Sequence, residues 1–321
     1  MDYSVIVPVY NRPDEIDELL QSLTKQTYKN FEVIIVEDGS DLRCDHIVEQ
    51  YSDQLAIRYF YKKNSGQGFS RNFGFEKAKG DYLIVFDSDC LIPSHYFEAV
   101  NRALAFHGYD AWGGPDRAHN SFTSIQKAIS YSMTSFFTTG GIRGRKNHIG
   151  TFHPRSFNMG ISREVYEKTG GYRITRMGED IEFSLRIIES GFKTGLIEDA
   201  YVYHKRRTDF KQFYRQLRFF GRARINIKRF YPDELKLVHL LPVFFVIGLP
   251  LFLILTVTTN GILSKLILLY PAYAAVLFID AFRAQRNIKI SLLGMIAGFI
   301  QLTAYGVGFL KELSEDYKKS T

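Results

Sequence analysis

Apolar residues come in short runs through the first two thirds of the chain and in long ones through the last third, and the change falls near residue 235. Residues 4–10, SVIVPVY, read as a buried strand. Asn11, Arg12 and Pro13 break it, and Ile16, Leu19, Leu20 and Leu23 then recur at helical spacing. The alternation repeats with FEVIIVED at 31–38, a polar helix-like stretch from Asp41, AIRYFYKK at 56–63, a helix from about Gly66 to Lys79, and DYLIVFDSD at 81–89. Strands alternating with helices predict an α/β domain whose mainly parallel sheet carries helices on both faces. Such sheets bind ligands beyond the carboxyl ends of their strands. Here Pro8 and Tyr10, Glu37 and Asp38, Asn64, and Asp87 with Asp89 stand at four successive ends, so one site is expected there.

Past residue 235 the pattern changes from periodic to continuous. Residues 237–257 and 290–310 contain no Asp, Glu, Lys or Arg, and 262–282 is apolar apart from Lys265, Asp280 and a few small polar groups. A helix crosses a hydrocarbon core with about 20 residues, so an all-α membrane region of about three spans is predicted over 235–321. Between the second and third spans lie Arg283, Arg286 and Lys289 without an acid. The positive-inside rule puts that link in the cytoplasm, and two crossings put the N-terminal domain there too, with the tail after the third span on the far side. No basic n-region or cleavage site precedes the first strand, so no signal peptide is expected.

Charge sharpens this division. The 321 residues hold 41 Lys plus Arg against 34 Asp plus Glu, a net charge of +7, and ten of the bases with a single acid, Asp209, lie in residues 205–229. Phe210, Phe213, Leu217 and Phe220 interleave them at helical spacing, which predicts a basic amphipathic interfacial helix over 205–234 meeting anionic membrane lipids. No nucleic-acid-binding module is recognisable. The two cysteines, Cys44 and Cys90, make no disulfide framework and no zinc spacing.

The catalytic candidates lie in residues 1–204. A dinucleotide fold fails its fingerprint, because Arg71 stands where the third glycine belongs, and no GxxxxGK[ST] loop occurs. Asp87 and Asp89, two apart in an extended segment, project to one side and can share a divalent cation such as Mg²⁺. Gly178-Glu179-Asp180 opens a helical pattern ending at Gly191; its acids suit a first turn, and one of them can serve as a general base. His204 follows the strand-like AYVYH and is either a strand-end histidine or a further metal or diphosphate ligand. The glycine-rich stretch 138–150, with Arg143, Arg145, Lys146 and His148, is expected to be a mobile loop near an acceptor.

SVIVPVYNRP, VEDGS, RNFG, FDSD and GED, in this order, resemble the motifs of the family 2 inverting glycosyltransferases of the GT-A fold over roughly residues 3–230. The resemblance implies nucleotide-sugar contacts at Pro8, Tyr10, Asp38 and Glu37, a diphosphate or nucleotide contact at Arg71, and further donor contacts at Asp87 and Ser88. It implies a metal site at Asp87 and Asp89, a third ligand at His204, the catalytic base at Asp180, and Glu179 on the acceptor side. The cofactor it implies is Mg²⁺ or Mn²⁺. The expected activity is transfer from a nucleotide-sugar donor to a hydroxyl of a lipid-linked or membrane-proximal glycan, in cell-surface polysaccharide or glycolipid synthesis. Processive synthases of this family carry Gln-x-x-Arg-Trp. Gln212-Phe213-Tyr214-Arg215 is followed instead by Gln216, and the single tryptophan is Trp112, so single addition is expected over polymerisation. A catalytically silent membrane scaffold is the alternative from another class.

Overall fold

The computed structural model describes residues 1–140, 152–259 and 261–320, with side chains as far as residue 315. The loop residues Arg143, Arg145, Lys146 and His148 lie outside the described residues. The chain forms two compact units. The first comprises Met1–His119 and the described residues from 152 to Lys205. The second takes the described residues from Asn120 to 140 and those from Arg206 onward.

In the first unit, β1 (Tyr3–Val9), α1 (Pro13–Thr24), β2 (Phe31–Asp38), α2 (Asp45–Glu49), β3 (Ala56–Lys62), α3 (Gln67–Lys77) and β4 (Tyr82–Phe86) follow the expected alternation. They continue into β5 (Cys90–Leu91), α4 (Tyr96–His107), β6 (Ala111–Gly113) and β7 (Asp116–Arg117). In the second unit α5 (Ser124–Thr134) and α6 (Phe136–Thr139) come next. The first unit then resumes with β8 (Asn158–Ser162), α7 (Arg163–Thr169), α8 (Glu179–Glu189), β9 (Thr194–Leu196) and β10 (Val202–His204).

The main sheet runs β3-β2-β1-β4-β8-β6-β9. Its first four strands are parallel, β8 is antiparallel to both neighbours, and β9 is parallel to β6. Successive side chains of a strand point to opposite faces, and both faces here are filled. Val5, Val7 and Val9 pack with Leu19, Leu20 and Phe97 on one side, while Ile6, Ile34 and Val36 pack with Phe75, Val165 and Phe183 on the other. Double coverage explains why β1 and β2 are almost continuously apolar. A second sheet, β5-β10-β7, is short, but its register sets Cys90 opposite His204 and so draws the chain after β4 against the end of β10.

Two backbone details hold the strand ends together. Asn11, at φ 54°, turns the chain after β1, and its side-chain oxygen accepts from the N–H groups of Asp41 (2.8 Å) and Leu42 (2.9 Å) just beyond β2. Gly39, at φ 74°, ends β2 where a Cβ would stand 2.7 Å from the Asn64 nitrogen; glycine is required both for the angle and for the approach.

The second unit is helical. Besides α5 and α6 it contains α9 (Phe210–Phe230), α10 (Leu241–Thr258), α11 (Leu269–Gln285) and α12 (Ile288–Ser320). Three stretches are long and apolar enough to cross a membrane: Leu237–Thr258, Leu263–Gln285 and Ile288–Glu315. Asp209 caps α9, accepting from the Gln212 N–H at 2.8 Å. The expected apolar stripe of this helix is buried by protein: Phe213 and Leu217 cluster with Ile129 and Met133 of α5 and Ala297 and Ala304 of α12. What α9 offers outward is its basic side, where Lys211 and Arg215 are exposed.

Candidate active site

The functional candidates of the first unit collect beyond the carboxyl ends of β1, β2 and β4, joined by hydrogen bonds that run from one strand end to the next. Asp38 closes β2 with its carboxylate turned to the loop after β3, accepting from the Ser65 N–H (2.9 Å), the Gly66 N–H (2.8 Å) and the Lys62 ammonium. Burial pushes this carboxyl up, but the hydrogen bonds from Lys62, Ser65 and Ser70 outweigh it and hold the group below its ordinary value. Glu37 points to the opposite face, as its neighbour in a strand must. It is fully buried and accepts from the Cys44 N–H (2.8 Å) and the Tyr59 hydroxyl (2.9 Å). Pro8 is half-buried within β1, paired with Val36, and Tyr10 just beyond it is exposed.

Gly66 caps α3, which carries Gln67 and Arg71 on its first turns. Arg71 is 1% exposed. Its guanidinium joins Asp87 (2.8 Å) to Glu179 (3.2 Å) and lies 5.3 Å over the Tyr172 ring. A buried guanidinium needs such partners, since an unpaired one costs several kcal/mol. Arg71 thereby fixes the spacing between the end of β4 and the start of α8.

The acid pair at the start of α8 is divided by the helix. Gly178, at φ 98°, brings the chain into the first turn. Glu179 faces inward, 4% exposed, and accepts from Arg71 and Gln67. Burial and the neighbouring Asp180 charge push its carboxyl up. Asp180 faces outward, half-buried, with Arg155 Nη1 at 3.5 Å and its Oδ1 accepting from the Ile181 N–H at 2.9 Å. Of the two, Asp180 is the less buried.

At the end of β4, Asp89 is gripped from two directions. His204 Nε2 lies 3.0 Å from Oδ1, and Arg12 Nη1 lies 2.9 Å from Oδ2. Arg12 also holds Glu15 at 2.8 Å, and Glu15 accepts from the Ser88 hydroxyl at 3.4 Å. Burial and Asp89 together push the Glu15 carboxyl up. The His204 ring stacks on Phe157 at 5.1 Å, whose carbonyl accepts from the Cys90 thiol at 3.6 Å. Asp89, Cys90 and His204 are the group of potential metal-ligating residues found among the described residues. A carboxylate oxygen and an imidazole nitrogen converging in this way suit Mn²⁺ and are compatible with Mg²⁺. The structure draws Asp87, the other aspartate of the motif, toward Arg71.

Sequence reasoning passed over Arg12, Glu15, Lys62, Gln67 and Arg155. Arg12 belongs to the Asn-Arg-Pro turn, where it reads as punctuation, and its contact with Asp89 is 77 residues distant in the chain.

The model of the family "Glycosyl transferase family 2" matches residues 4–170. An uncharacterized glycosyltransferase of Rickettsia felis is 43% identical over 141 residues, which are 43% of this chain but 22% of that relative's length. The glycosyltransferase AglE of Haloferax volcanii is 25% identical over 262 residues, 76% of this chain and 80% of its own. Among solved structures, the mannosyltransferase PcManGT from Pyrobaculum calidifontis, in complex with GDP-Man and Mn²⁺, superposes with a TM-score of 0.66 at 17% identity, covering 93% of this chain and 86% of that one. S. aureus TarS 1-349 gives a TM-score of 0.50 at 20% identity, covering 100% of this chain and 92% of that one. Both likenesses concern the fold: a GT-A α/β core followed by a helical C-terminal region.

Proposed function

This chain belongs to glycosyl transferase family 2, and from that premise we propose that it moves a sugar from a nucleotide-sugar donor to a hydroxyl of a lipid-linked or membrane-proximal glycan, at the cytoplasmic face of a membrane. The observation that carries the reading is the hydrogen-bonded chain of Asp38, Gly66, Gln67, Glu179, Arg71 and Asp87, which sets Asp180 beside the strand ends that bear Asp87 and Asp89.

Displacing a nucleoside diphosphate from an anomeric carbon requires that the leaving phosphates be neutralised and the incoming hydroxyl deprotonated. Asp89 and His204, with Asp87 beside them, would hold Mg²⁺ or Mn²⁺, and a bound ion there would offset the diphosphate charge. Asp180 accepts the proton of the attacking hydroxyl; Arg155, 3.5 Å away, orients that carboxylate. A single displacement assisted by one base needs no carboxylate nucleophile and inverts the anomeric centre, by analogy with inverting glycosidases. Asp38 and Lys62 shape the loop that the nucleoside would face, together with Pro8, Tyr10 and Ser88, and Arg71 with Glu179 supports the floor. The domain boundaries that go with this reading are a catalytic region over 1–204, a basic helix region over 205–234 and a membrane region over 235–321. Attachment to the membrane is supported by the three long apolar helices, and contact with anionic lipid by the exposed Lys211 and Arg215.

The test is to incubate membranes containing the full chain with a panel of nucleotide sugars and either Mg²⁺ or Mn²⁺, scoring nucleoside diphosphate release. Release should require the metal and should fall about 10²–10⁴-fold in Asp180→Asn, the loss expected when a general base is removed. Undiminished release by Asp180→Asn would rule out this base.

A further inference from the structure

Three full crossings between α9 and the end of α12 would place those two elements on opposite faces of a membrane, yet the structure binds them to one another. Arg222 Nε lies 2.7 Å from Glu312 Oε2 and its Nη2 3.2 Å from Glu315, while Arg229 Nη2 lies 3.0 Å from Glu312 Oε1. The backbones interlock as well. A Cβ on Gly221 would stand 2.0 Å from the Tyr305 carbonyl oxygen, and one on Gly308 would stand 2.0 Å from that of Arg218. Contact this close along two helices is a packed interface.

Helix α9 cannot lie in hydrocarbon. It carries Lys211, Arg215, Arg218, Arg222, Arg224, Lys228 and Arg229, and each such cation costs at least about 2.5 kcal/mol at the centre of a bilayer. It also begins only five residues after Lys205, the last residue of the first unit, so the chain has no length in which to cross before it. Glu312 therefore sits on the catalytic side. The number of crossings between α9 and Glu312 is then even.

Burial indicates which helix is not a lipid-facing span. Protein covers one side of α12 along its length, with Leu292 and Ile296 exposed on the other: Tyr131 packs on Gly294, Thr138 on Gly298, and Phe213 and Leu217 cluster with Ala297 and Ala304. The Gln301 side chain donates to the Thr138 carbonyl at 3.2 Å, and Glu312 is 4% exposed. Helices α10 and α11 are covered far less: Val243 and Gly248 are the buried residues of the first and Leu277 and Ala281 of the second, while Phe244, Ile247, Leu251, Ile254, Leu269 and Ile279 stand exposed. Helix α12 meets this pair through Pro242 and Val246 of α10 and Leu277 of α11. At the same end of α11, Asp280 accepts from the hydroxyls of Tyr131 and Ser135, both at 2.7 Å.

We infer that the lipid-embedded surface of this protein is the α10–α11 hairpin, occupied by bilayer hydrocarbon. Helix α12 is instead a spine at the membrane surface that carries α5 and α9, and its end at Glu312 and Glu315 remains on the catalytic side. This inference rests on the membrane attachment proposed above, and it replaces the expectation of a third crossing with the tail on the far side.

The test uses the full chain with one epitope at its N-terminus and another after Thr321, expressed in bacterial membranes. Right-side-out and inverted vesicles are probed with protease, and parallel samples are washed with alkaline carbonate. The expected result is retention through carbonate, with both epitopes cleaved in inverted vesicles and both protected in right-side-out ones. Retention with the two epitopes on opposite faces would overturn this inference alone. Release by carbonate would overturn it together with the membrane reading.

Discussion

At the residue scale, the site is built from carboxylates given different duties by their surroundings. Glu179 and Asp180 are neighbours in sequence, but the helix turns one into a buried pair with Arg71 and the other outward beside Arg155. Removing Arg71 should therefore act through stability more than through any lost contact with donor. Arg71→Ala leaves the buried Glu179 without its cation, and breaking one partner of a buried pair costs about 3–5 kcal/mol. A fall of that size in chemical denaturation is expected. Asp38 supplies a pH signature. Its carboxyl lies below the ordinary value in the folded state, so its contribution to stability is complete above the unfolded-state value and is lost as pH falls through the folded one. Denaturation curves across the acid range should show a stability gap of about 1.5–3 kcal/mol between the wild type and Asp38→Asn at neutral pH. The gap should close on acidification; one that stayed constant with pH would argue against an ionised Asp38.

At the element scale, the contacts that matter join helices far apart in the chain. The basic helix α9 presents as a lipid-binding stripe in sequence, but Phe213 and Leu217 are covered by α5 and α12, and Arg222 and Arg229 turn to Glu312. Charge reversal tests the pairing directly. Glu312→Arg sets three cations together and should destabilise the detergent-extracted protein by about 3–5 kcal/mol, the range for a broken buried pair. Adding Arg222→Glu should restore much of the loss, whereas additive effects of the two changes would show that the pair does not form. The strand pattern of 1–89 was legible element by element, because β1, β2 and β4 are almost continuously apolar and buried and α1 carries a clear apolar stripe. The β5-β10-β7 sheet was not legible. Its strands are two or three residues long, too short for any periodicity, although their register is what sets His204 against Asp89.

At the scale of the whole molecule, donor and metal should stabilise the protein together. A ligand that binds only the folded state adds about 2.7 kcal/mol at a hundred times its dissociation constant. The preferred nucleotide sugar should raise the melting temperature in Mn²⁺ and lose that effect in excess chelator. A shift indifferent to chelator would remove the metal from donor binding. Two things are separable in the origin of this protein's architecture. The sequence by itself determined the α/β order of the first unit, the family, the three long apolar helices and the position of the acids at strand ends, since each depends on local periodicity or on residue types at short spacing. Tertiary structure alone decided that Arg71 bridges Asp87 to Glu179, that Arg12 and His204 grip Asp89, and that α9 pairs with α12. Those contacts join residues from 16 to more than a hundred positions apart, and no local pattern encodes which distant partner a buried charge will find.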